Sequence, residues 1–218
     1  MDSAIESLRP ALRASIAQLA LEATDAQIDT LLAYLALLGR WNAHYNLTAV
    51  RDPAQMLTQH LADCLAVITP LRRETGAAPA RLLDVGSGGG LPGVVIAILD
   101  PQIDVTCIDT VGKKAAFVQQ AAGELGLRNL HAQHARVEQT TAAPFDVITS
   151  RAFASLIDFT ALTRRHVNQR SVWMAMKGKT PTDELSALPS DVDVFHVEQL
   201  TVPNLAAERC IVWMRLKP

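Results

Sequence analysis

Four glycines within five residues, at positions 86 and 88–90, most constrain how this chain of 218 residues can fold. The apolar residues before them have the composition of a buried strand, and Pro92 follows in the first turn of a predicted helix. Glycine allows positive φ and lets a ligand approach the backbone without interference from a Cβ atom. The amino terminus of the following helix favours a negatively charged ligand group. We therefore expect a ligand site here, because four glycines are more than a tight turn requires.

Hydrophobic periodicity divides the chain around this loop into two parts. Up to residue 75, apolar residues recur every three or four positions, which predicts helices. Beyond residue 80, predicted strands at 81–85, 103–108, 130–135, 146–150 and 171–176 alternate with predicted helices at 93–99, 113–125 and 156–167. This alternation indicates an α/β, Rossmann-like fold with a mostly parallel sheet, and strands at 192–199 and 210–216 predict an antiparallel edge. We expect an N-terminal helical extension, residues 1–75, and a Rossmann-like domain, residues 76–218.

Composition excludes several other classes of protein. Hydrophobic residues make up 49% of the chain and charged residues 19%, which is typical of a globular domain. No apolar run approaches the roughly 18 residues of a membrane span, so we expect no membrane contact. The three cysteines are far apart and form no C-x-x-C pair, which argues against disulfides and a zinc site and favours a cytoplasmic location. We expect no bound metal.

Two ligand classes fit the glycine loop. Three of its residues have the G-x-G-x-x-G spacing of dinucleotide-binding folds, which suits a nicotinamide dehydrogenase: Gly88, Gly90 and Gly93. The sequence D-V-G-x-G-x-G at residues 84–90 instead resembles motif I of the S-adenosylmethionine-dependent methyltransferases. Asp109 ends the second predicted strand, 23 residues after Gly86. An acidic residue there can accept both hydroxyls of a ribose, so it is consistent with either ligand.

Segments outside the loop make the resemblance more specific. They are W-N-x-x-Y-N-L-T at 41–48, R-D-P at 51–53, H-x-x-D at 60–63, D-V-G-S-G at 84–88 with L-P-G at 91–93, and S-R-A-F at 150–153. With these segments in order, the chain from about residue 25 to its C terminus resembles the small-subunit ribosomal RNA guanine-N7 methyltransferase family, also called glucose-inhibited division protein B. One departure is Cys64, where the family commonly has serine.

The resemblance implies a class I methyltransferase fold with an N-terminal helical extension. It also implies S-adenosyl-L-methionine as cofactor and methylation of a guanine N7 in the 16S rRNA of the small ribosomal subunit. We expect the protein to be a cytoplasmic monomer. The implied cofactor contacts are Gly86, Gly88 and Leu91, with Asp109 at the ribose, Val137 and Glu138 along the adenine, and Arg151 at the methionine end. Alternatives are a methyltransferase of this fold acting on another RNA or a small molecule, and a cofactor-binding, ribosome-associated protein without turnover.

The sequence is compatible with chemistry that needs no general base. Guanine N7 is an acceptor with an in-plane lone pair, so it attacks a methyl group without prior deprotonation. The residues S-R-A-F at 150–153 differ from the D/N-P-P-Y/F typical of methyltransferases that act on exocyclic amines. We expect Arg151 to orient the cofactor carboxylate or a phosphate. For His60, on the apolar face of a predicted helix, both a hydrogen-bonded core position and a functional one stay open.

The formal net charge of −2 conceals two oppositely charged stretches. Residues 151–179 carry a net charge of +5 and residues 180–208 a net charge of −6. We expect the basic stretch, including Arg164 and Arg165, to form a phosphate-contacting rim beside the strand ends that hold the site. Phe153 and Trp173 are candidates either for stacking on a base or for the core.

Overall fold

The computed structural model describes residues 3–217, in which a seven-stranded sheet follows a set of N-terminal helices. The strands are β1 (Ala80–Val85), β2 (Ile103–Asp109), β3 (Leu130–His134), β4 (Val147–Arg151), β5 (Val172–Lys177), β6 (Val192–Leu200) and β7 (Arg209–Leu216). Their order across the sheet is β3-β2-β1-β4-β5-β7-β6, and the first five strands pair in parallel. All seven predicted strands are confirmed to within one residue at each end.

The two late strands form the antiparallel part of the sheet, as predicted. β7 pairs antiparallel with both β5 and β6. It is therefore inserted between them, and β6 forms the outer edge. The sequence pattern did not reveal this insertion, because both strands have similar composition and neither carries a turn signal that fixes its neighbour.

Between residues 3 and 75 the structure has six α-helices of different lengths. They are α1 (Ser3–Glu6), α2 (Arg9–Gln18), α3 (Asp25–Tyr45), α4 (Pro53–Met56), α5 (Asp63–Leu65) and α6 (Ile68–Thr75), with a π-helical turn, Leu57–Ala62, between α4 and α5. The amino end of α3 has a capping box: Gln27 N donates to Thr24 Oγ1 at 3.2 Å, and Thr24 N donates to Gln27 Oε1 at 2.9 Å. This arrangement satisfies two backbone donors that the first helical turn leaves unpaired.

The helices that follow the strands complete the layers. They are α7 (Gly93–Leu99), α8 (Gly112–Glu124), α9 (Leu156–Thr163) and α10 (Thr182–Ser186). The predicted helix at 156–167 is shorter than expected, because its last turn is the 3₁₀ segment Arg164–His166. No helix among residues 3–217 is long and apolar enough to cross a bilayer.

Two hydrophobic clusters cover the two faces of the sheet. Neighbouring residues of β1 point to opposite faces: Leu82 belongs to the first cluster and Leu83 to the second. The first cluster joins the N-terminal helices to α7 and α8, and Gln27 Nε2 also donates to Ile98 O at 3.0 Å. α6 ends at Thr75 and Gly76 caps it, but the division into residues 1–75 and 76–218 stays a prediction.

Candidate functional site

β1 leads directly into the glycine loop, at the edge of the sheet where the parallel strands end. Gly86 and Gly88 have φ of +67° and +59°, which only glycine adopts without strain. A Cβ atom added at either position meets no described residue within 4 Å, so this backbone faces open space. Gly86 N donates to Ile108 O at 2.8 Å and anchors the loop to β2.

The helix after the loop approaches the sheet closely. A Cβ atom at Gly93 would lie 2.5 Å from Cys107 Sγ and 3.0 Å from Asp84 Oδ2. Gly93 N instead donates to Asp84 Oδ2 at 2.9 Å. The first amide of α7 is therefore not available to a ligand, because the carboxyl group of Asp84 accepts from it. That the amino terminus of this helix favours an anionic ligand group stays a prediction.

Asp84 is the most deeply buried acidic group near the loop. Its side chain is inaccessible to solvent, and Oδ1 has no hydrogen-bond partner among residues 3–217. Burial raises the pKa of Asp84 to about 7, against the hydrogen bond from Gly93 N, which lowers it. The carboxyl group of Asp84 therefore changes its charge near neutral pH. Its hydrogen bond links the end of β1 to the start of α7.

A cavity of about 480 Å³ opens between the glycine loop and the N-terminal helices. Three parts of the chain line it: Leu38, Leu47, Thr48, His60 and Asp63 from the helical region; Gly86, Ser87, Gly88, Gly89 and Leu91 from the loop; and Arg151, Ala152, Met176, Lys177, Gly178 and Arg209 from the ends of β4 and β5 and the start of β7. Its volume lies within the range of about 300–1,000 Å³ typical of small-molecule sites.

Asp63 connects two arginines in this cavity. Its Oδ2 accepts from Arg151 Nη1 at 3.2 Å and its Oδ1 from Arg209 Nε at 2.7 Å. Arg151 Nη1 also donates to Gln59 O at 3.1 Å. The Asp63 side chain is only 3% exposed. Because two guanidinium groups share one carboxylate, this Arg151–Asp63–Arg209 bridge leaves one surplus positive charge at the cavity.

The helix that precedes Asp63 is irregular at this point. The apolar stripe from Met56 to Ile68 predicts one continuous helix, whereas the structure has a π-helical turn at Leu57–Ala62. π-Turns are rare and often occur at functional sites. This turn carries His60, whose Nε2 lies 2.8 Å from Thr48 Oγ1. Burial lowers the pKa of His60, and the charge of Arg151 lowers it further. His60 is thus a hydrogen-bonded, buried residue that also lines the cavity.

The structure brings four of the predicted site residues together at the cavity: Gly86, Gly88, Leu91 and Arg151. Asp109 lies beneath the loop. Its Oδ2 accepts from Gly88 N at 2.9 Å and its Oδ1 from Val111 N at 2.8 Å. Each carboxylate oxygen has two lone pairs, so each retains capacity for one more donor. The role of Asp109 at a ribose stays a prediction.

Val137 and Glu138 do not line the cavity. They form a 3₁₀ turn after β3, where Val137 is buried in the second cluster and its carbonyl accepts from His166 Nε2 at 2.9 Å. Glu138 O accepts from Arg165 Nη1 at 2.7 Å. Their contact with an adenine also stays a prediction.

Against the predicted basic rim, neither Arg164 nor Arg165 lines the cavity. Phe145 N donates to His166 O at 2.9 Å, which places the carboxyl end of α9 beside the start of β4, at the edge of the sheet opposite the cavity. Arg164 there pairs with Asp191 at 2.6 Å. Trp173 is a core residue, because it is fully buried and its Nε1 donates to Thr163 Oγ1 at 2.7 Å.

Sequence reasoning missed Arg209 as a cavity residue and included Lys177 only as part of the basic stretch. Lys177 ends β5 and its Nζ pairs with Glu184 Oε2 at 2.8 Å. Arg209 is the first residue of β7 and reaches the cavity only because β7 lies next to β5. No motif surrounds Arg209, so only the strand order could have identified it.

Similar proteins agree with this fold. Two solved structures share it at low sequence identity: an S-adenosylmethionine-dependent methyltransferase from Aquifex aeolicus (TM-score 0.56, 15% identity, covering 76% of this chain and 99% of that one) and a 1,6-didemethyltoxoflavin-N1-methyltransferase from Burkholderia thailandensis (TM-score 0.57, 15% identity, covering 85% and 90%). At these identities they support the fold alone.

Sequence relatives are much nearer. The ribosomal RNA small subunit methyltransferase G of an Acidovorax species is 62% identical over 217 residues, covering 96% of each chain. The protein of the same name from Leptothrix cholodnii is 60% identical over 207 residues, covering 95% of each. The model of the GidB family, rRNA small subunit methyltransferase G, matches residues 27–212. This chain therefore belongs to the rRNA small subunit methyltransferase G family.

Proposed function

We propose that this protein transfers a methyl group from S-adenosyl-L-methionine to the N7 of a specific guanine in 16S rRNA. The observation that carries the proposal is the family match over residues 27–212, together with relatives of the same name that are about 60% identical along nearly the whole chain. The cavity at the carboxyl edge of the sheet is where ligands bind in open α/β folds.

The residues at the cavity suit this cofactor. The glycine loop leaves open space above Gly86 and Gly88, which lets an adenosine-sized group approach the backbone. The surplus positive charge of the Arg151–Asp63–Arg209 bridge complements a carboxylate. We propose that Arg151 orients the methionine end, that Asp109 accepts from the ribose and that Val137 and Glu138 lie along the adenine.

The cofactor, when bound, supplies an electrophilic methyl group on a positively charged sulfur. The protein's own part is to hold the guanine so that its N7 lone pair faces that methyl group. Such positioning contributes as much as about 7–11 kcal/mol to lowering a barrier. Because N7 carries no proton, Asp63 can stay fully engaged with two arginines, and His60 can stay bound to Thr48. The arrangement thus suits a methyl acceptor that needs no base.

We further propose that the protein acts as a monomer in the cytoplasm, on the small ribosomal subunit. The support for the partner and the location is that the relatives are named as ribosomal RNA small subunit methyltransferases. We also propose that residues 1–75 act as a helical extension to a methyltransferase domain at residues 76–218.

The test is methyl transfer to isolated small subunits that lack the modification. With cofactor labelled in its methyl group, we expect label in 16S rRNA, recovered as 7-methylguanine after nuclease digestion. Small subunits that the protein has already methylated serve as the matched control and should take up no further label. Label recovered only as N6-methyladenine, or only in a small molecule, would contradict the proposal.

A further inference from the structure

The segment W-N-x-x-Y-N-L-T at residues 41–48 shapes the cavity, and its polar residues have structural roles. Asn42 is only 1% exposed; its Nδ2 donates to Val50 O at 2.9 Å and its Oδ1 accepts from Thr48 N at 2.9 Å. Asn46 caps α3 in the left-handed region, with φ of +49°. These contacts fix the turn that brings Leu47 and Thr48 into the cavity.

Tyr45 of the same segment has no comparable role. It is 46% exposed, and its hydroxyl makes no hydrogen bond within residues 3–217. Its ring lies 4.9 Å from that of Trp41, and Trp41 in turn packs edge-on against the buried Phe117 at 5.5 Å. The Trp41–Tyr45 pair is therefore an aromatic surface that packs on the core through Trp41 and is exposed to solvent at Tyr45.

The position and charge of this pair favour a nucleic acid as its partner. Tyr45 precedes the cavity residue Leu47 by two positions, so their Cα atoms are at most about 7 Å apart. Arg51 Nη2 donates to Asn46 Oδ1 at 2.7 Å, which holds a guanidinium beside the end of α3. Arg40 lines the same open cleft as Trp41 and Tyr45, where its Nη2 pairs with Glu124 Oε2 at 3.4 Å, so Arg51 is the arginine there without a carboxylate partner among residues 3–217. Aromatic rings with neighbouring arginines are typical of surfaces that bind unpaired nucleotides.

We propose that the Trp41–Tyr45 pair is a stacking platform for an unpaired base of the substrate RNA, next to the cavity that receives the target guanine. The proposal rests on the proposed function, since it needs an RNA substrate. An exposed aromatic ring binds a base through its face, and arginine at the rim compensates the phosphate charge. The platform thus holds the RNA strand beside the site without taking part in the chemistry.

The test compares variants of Tyr45 in methyl transfer to unmethylated small subunits. Tyr45→Ser removes the ring and should raise KM for the subunit about tenfold, within the effect expected for one base stack. It should leave kcat and the affinity for S-adenosylhomocysteine within about twofold, because the cavity is untouched. Tyr45→Phe keeps the ring and should behave like the natural protein. Tyr45→Leu keeps apolar bulk without a flat ring and should share the loss, even where Tyr45→Ser impairs folding.

A matched control is Ile157→Ser on α9, which removes an exposed apolar side chain of 37% exposure on another element. Its KM should not change. An unchanged KM in both Tyr45→Ser and Tyr45→Leu, or a loss in Tyr45→Phe equal to that in Tyr45→Ser, overturns the platform while leaving the proposed function intact. If the natural protein methylates no RNA, the proposed function itself fails.

Ultraviolet cross-linking of the natural protein to small subunits distinguishes RNA from protein as the partner. We expect a nucleotide adduct on the peptide that contains Tyr45. An adduct between this peptide and a ribosomal protein instead overturns the proposal.

Discussion

Two aspartates, at opposite edges of the sheet, join the N-terminal helices to the rest of the protein through arginines, but in different ways. At the amino edge, Arg72 Nε donates to Asp100 Oδ1 at 2.7 Å. At the carboxyl edge, Asp63 accepts from both Arg151 and Arg209. Both aspartates are 3% exposed. The first pair is neutral and serves only to hold α6 against the end of α7, whereas the second leaves a positive charge at the cavity. Contacts between arginine and aspartate therefore make a structural link at one edge and a ligand site at the other.

The largest expected effect comes from removing one arginine at each edge. Arg151→Ala should weaken binding of S-adenosylhomocysteine about 100-fold, because the surplus charge at the cavity disappears. Arg72→Ala should leave this affinity unchanged. The free energy of unfolding should change in the opposite order. Arg151→Ala should lower it by about 1 kcal/mol, because Asp63 keeps Arg209 as a partner. Arg72→Ala should lower it by about 2–3 kcal/mol, because Asp100 loses its cation.

Calorimetric titration and urea unfolding measure the two quantities on the same preparations. Arg151→Lys and Arg72→Lys are the matched controls, since they keep the charge and lose the forked geometry. Equal loss of ligand affinity at both edges would show that the two pairs do not differ as described.

A second prediction concerns Asp84, a buried carboxyl group with no ion-pair partner among residues 3–217. Its pKa is raised to about 7 in the folded state from 3.8. The folded protein therefore holds this proton more tightly than the unfolded chain, and the resulting stabilisation, complete below about pH 4, is lost as the pH rises through 7. Asp84→Asn stays neutral, so its stability relative to the natural protein should rise by about 2 kcal/mol between pH 5 and pH 8. Urea unfolding at the two pH values measures this; a constant difference contradicts it.

The smallest expected effect concerns Arg164, which is paired with Asp191 at the amino edge, and Arg165, which donates to the carbonyl oxygen of Glu138. The double variant Arg164→Gln and Arg165→Gln should leave the salt dependence of small-subunit binding unchanged, because neither side chain faces the cavity. Binding measured at several salt concentrations tests this. If the slope of the logarithm of the binding constant against the logarithm of the salt concentration falls in magnitude by about one or two, these arginines contact phosphates.

Strand positions and the glycine loop were predictable from the sequence, because both depend on local patterns. Alternation of apolar runs located β1 to β7, and four glycines marked the loop after β1. The neighbours of each strand depend instead on which surfaces pack together. The insertion of β7, and with it the approach of Arg209 to Asp63 across 146 positions, therefore had no local signal.

The site shows the same limit. Arg151 was expected from its place after β4, but its partner Asp63 lies 88 positions away on another element. The π-turn that carries His60 is six residues long, and over so short a segment its apolar spacing is the same as that of an α-helix. The sequence therefore could not distinguish the two. The first amide of α7 looked available to a ligand because the sequence cannot show that Asp84, nine positions earlier, already accepts from it.

The place of β7 in the sheet has a consequence for how the protein is made. Synthesis begins at the amino terminus, so the glycine loop, Arg151 and Asp63 leave the ribosome long before Arg209 does. Until β7 is available, β5 and β6 lack the strand that joins them, and Asp63 has only one guanidinium partner. The surplus positive charge at the cavity and the outer edge of the sheet therefore both depend on β7.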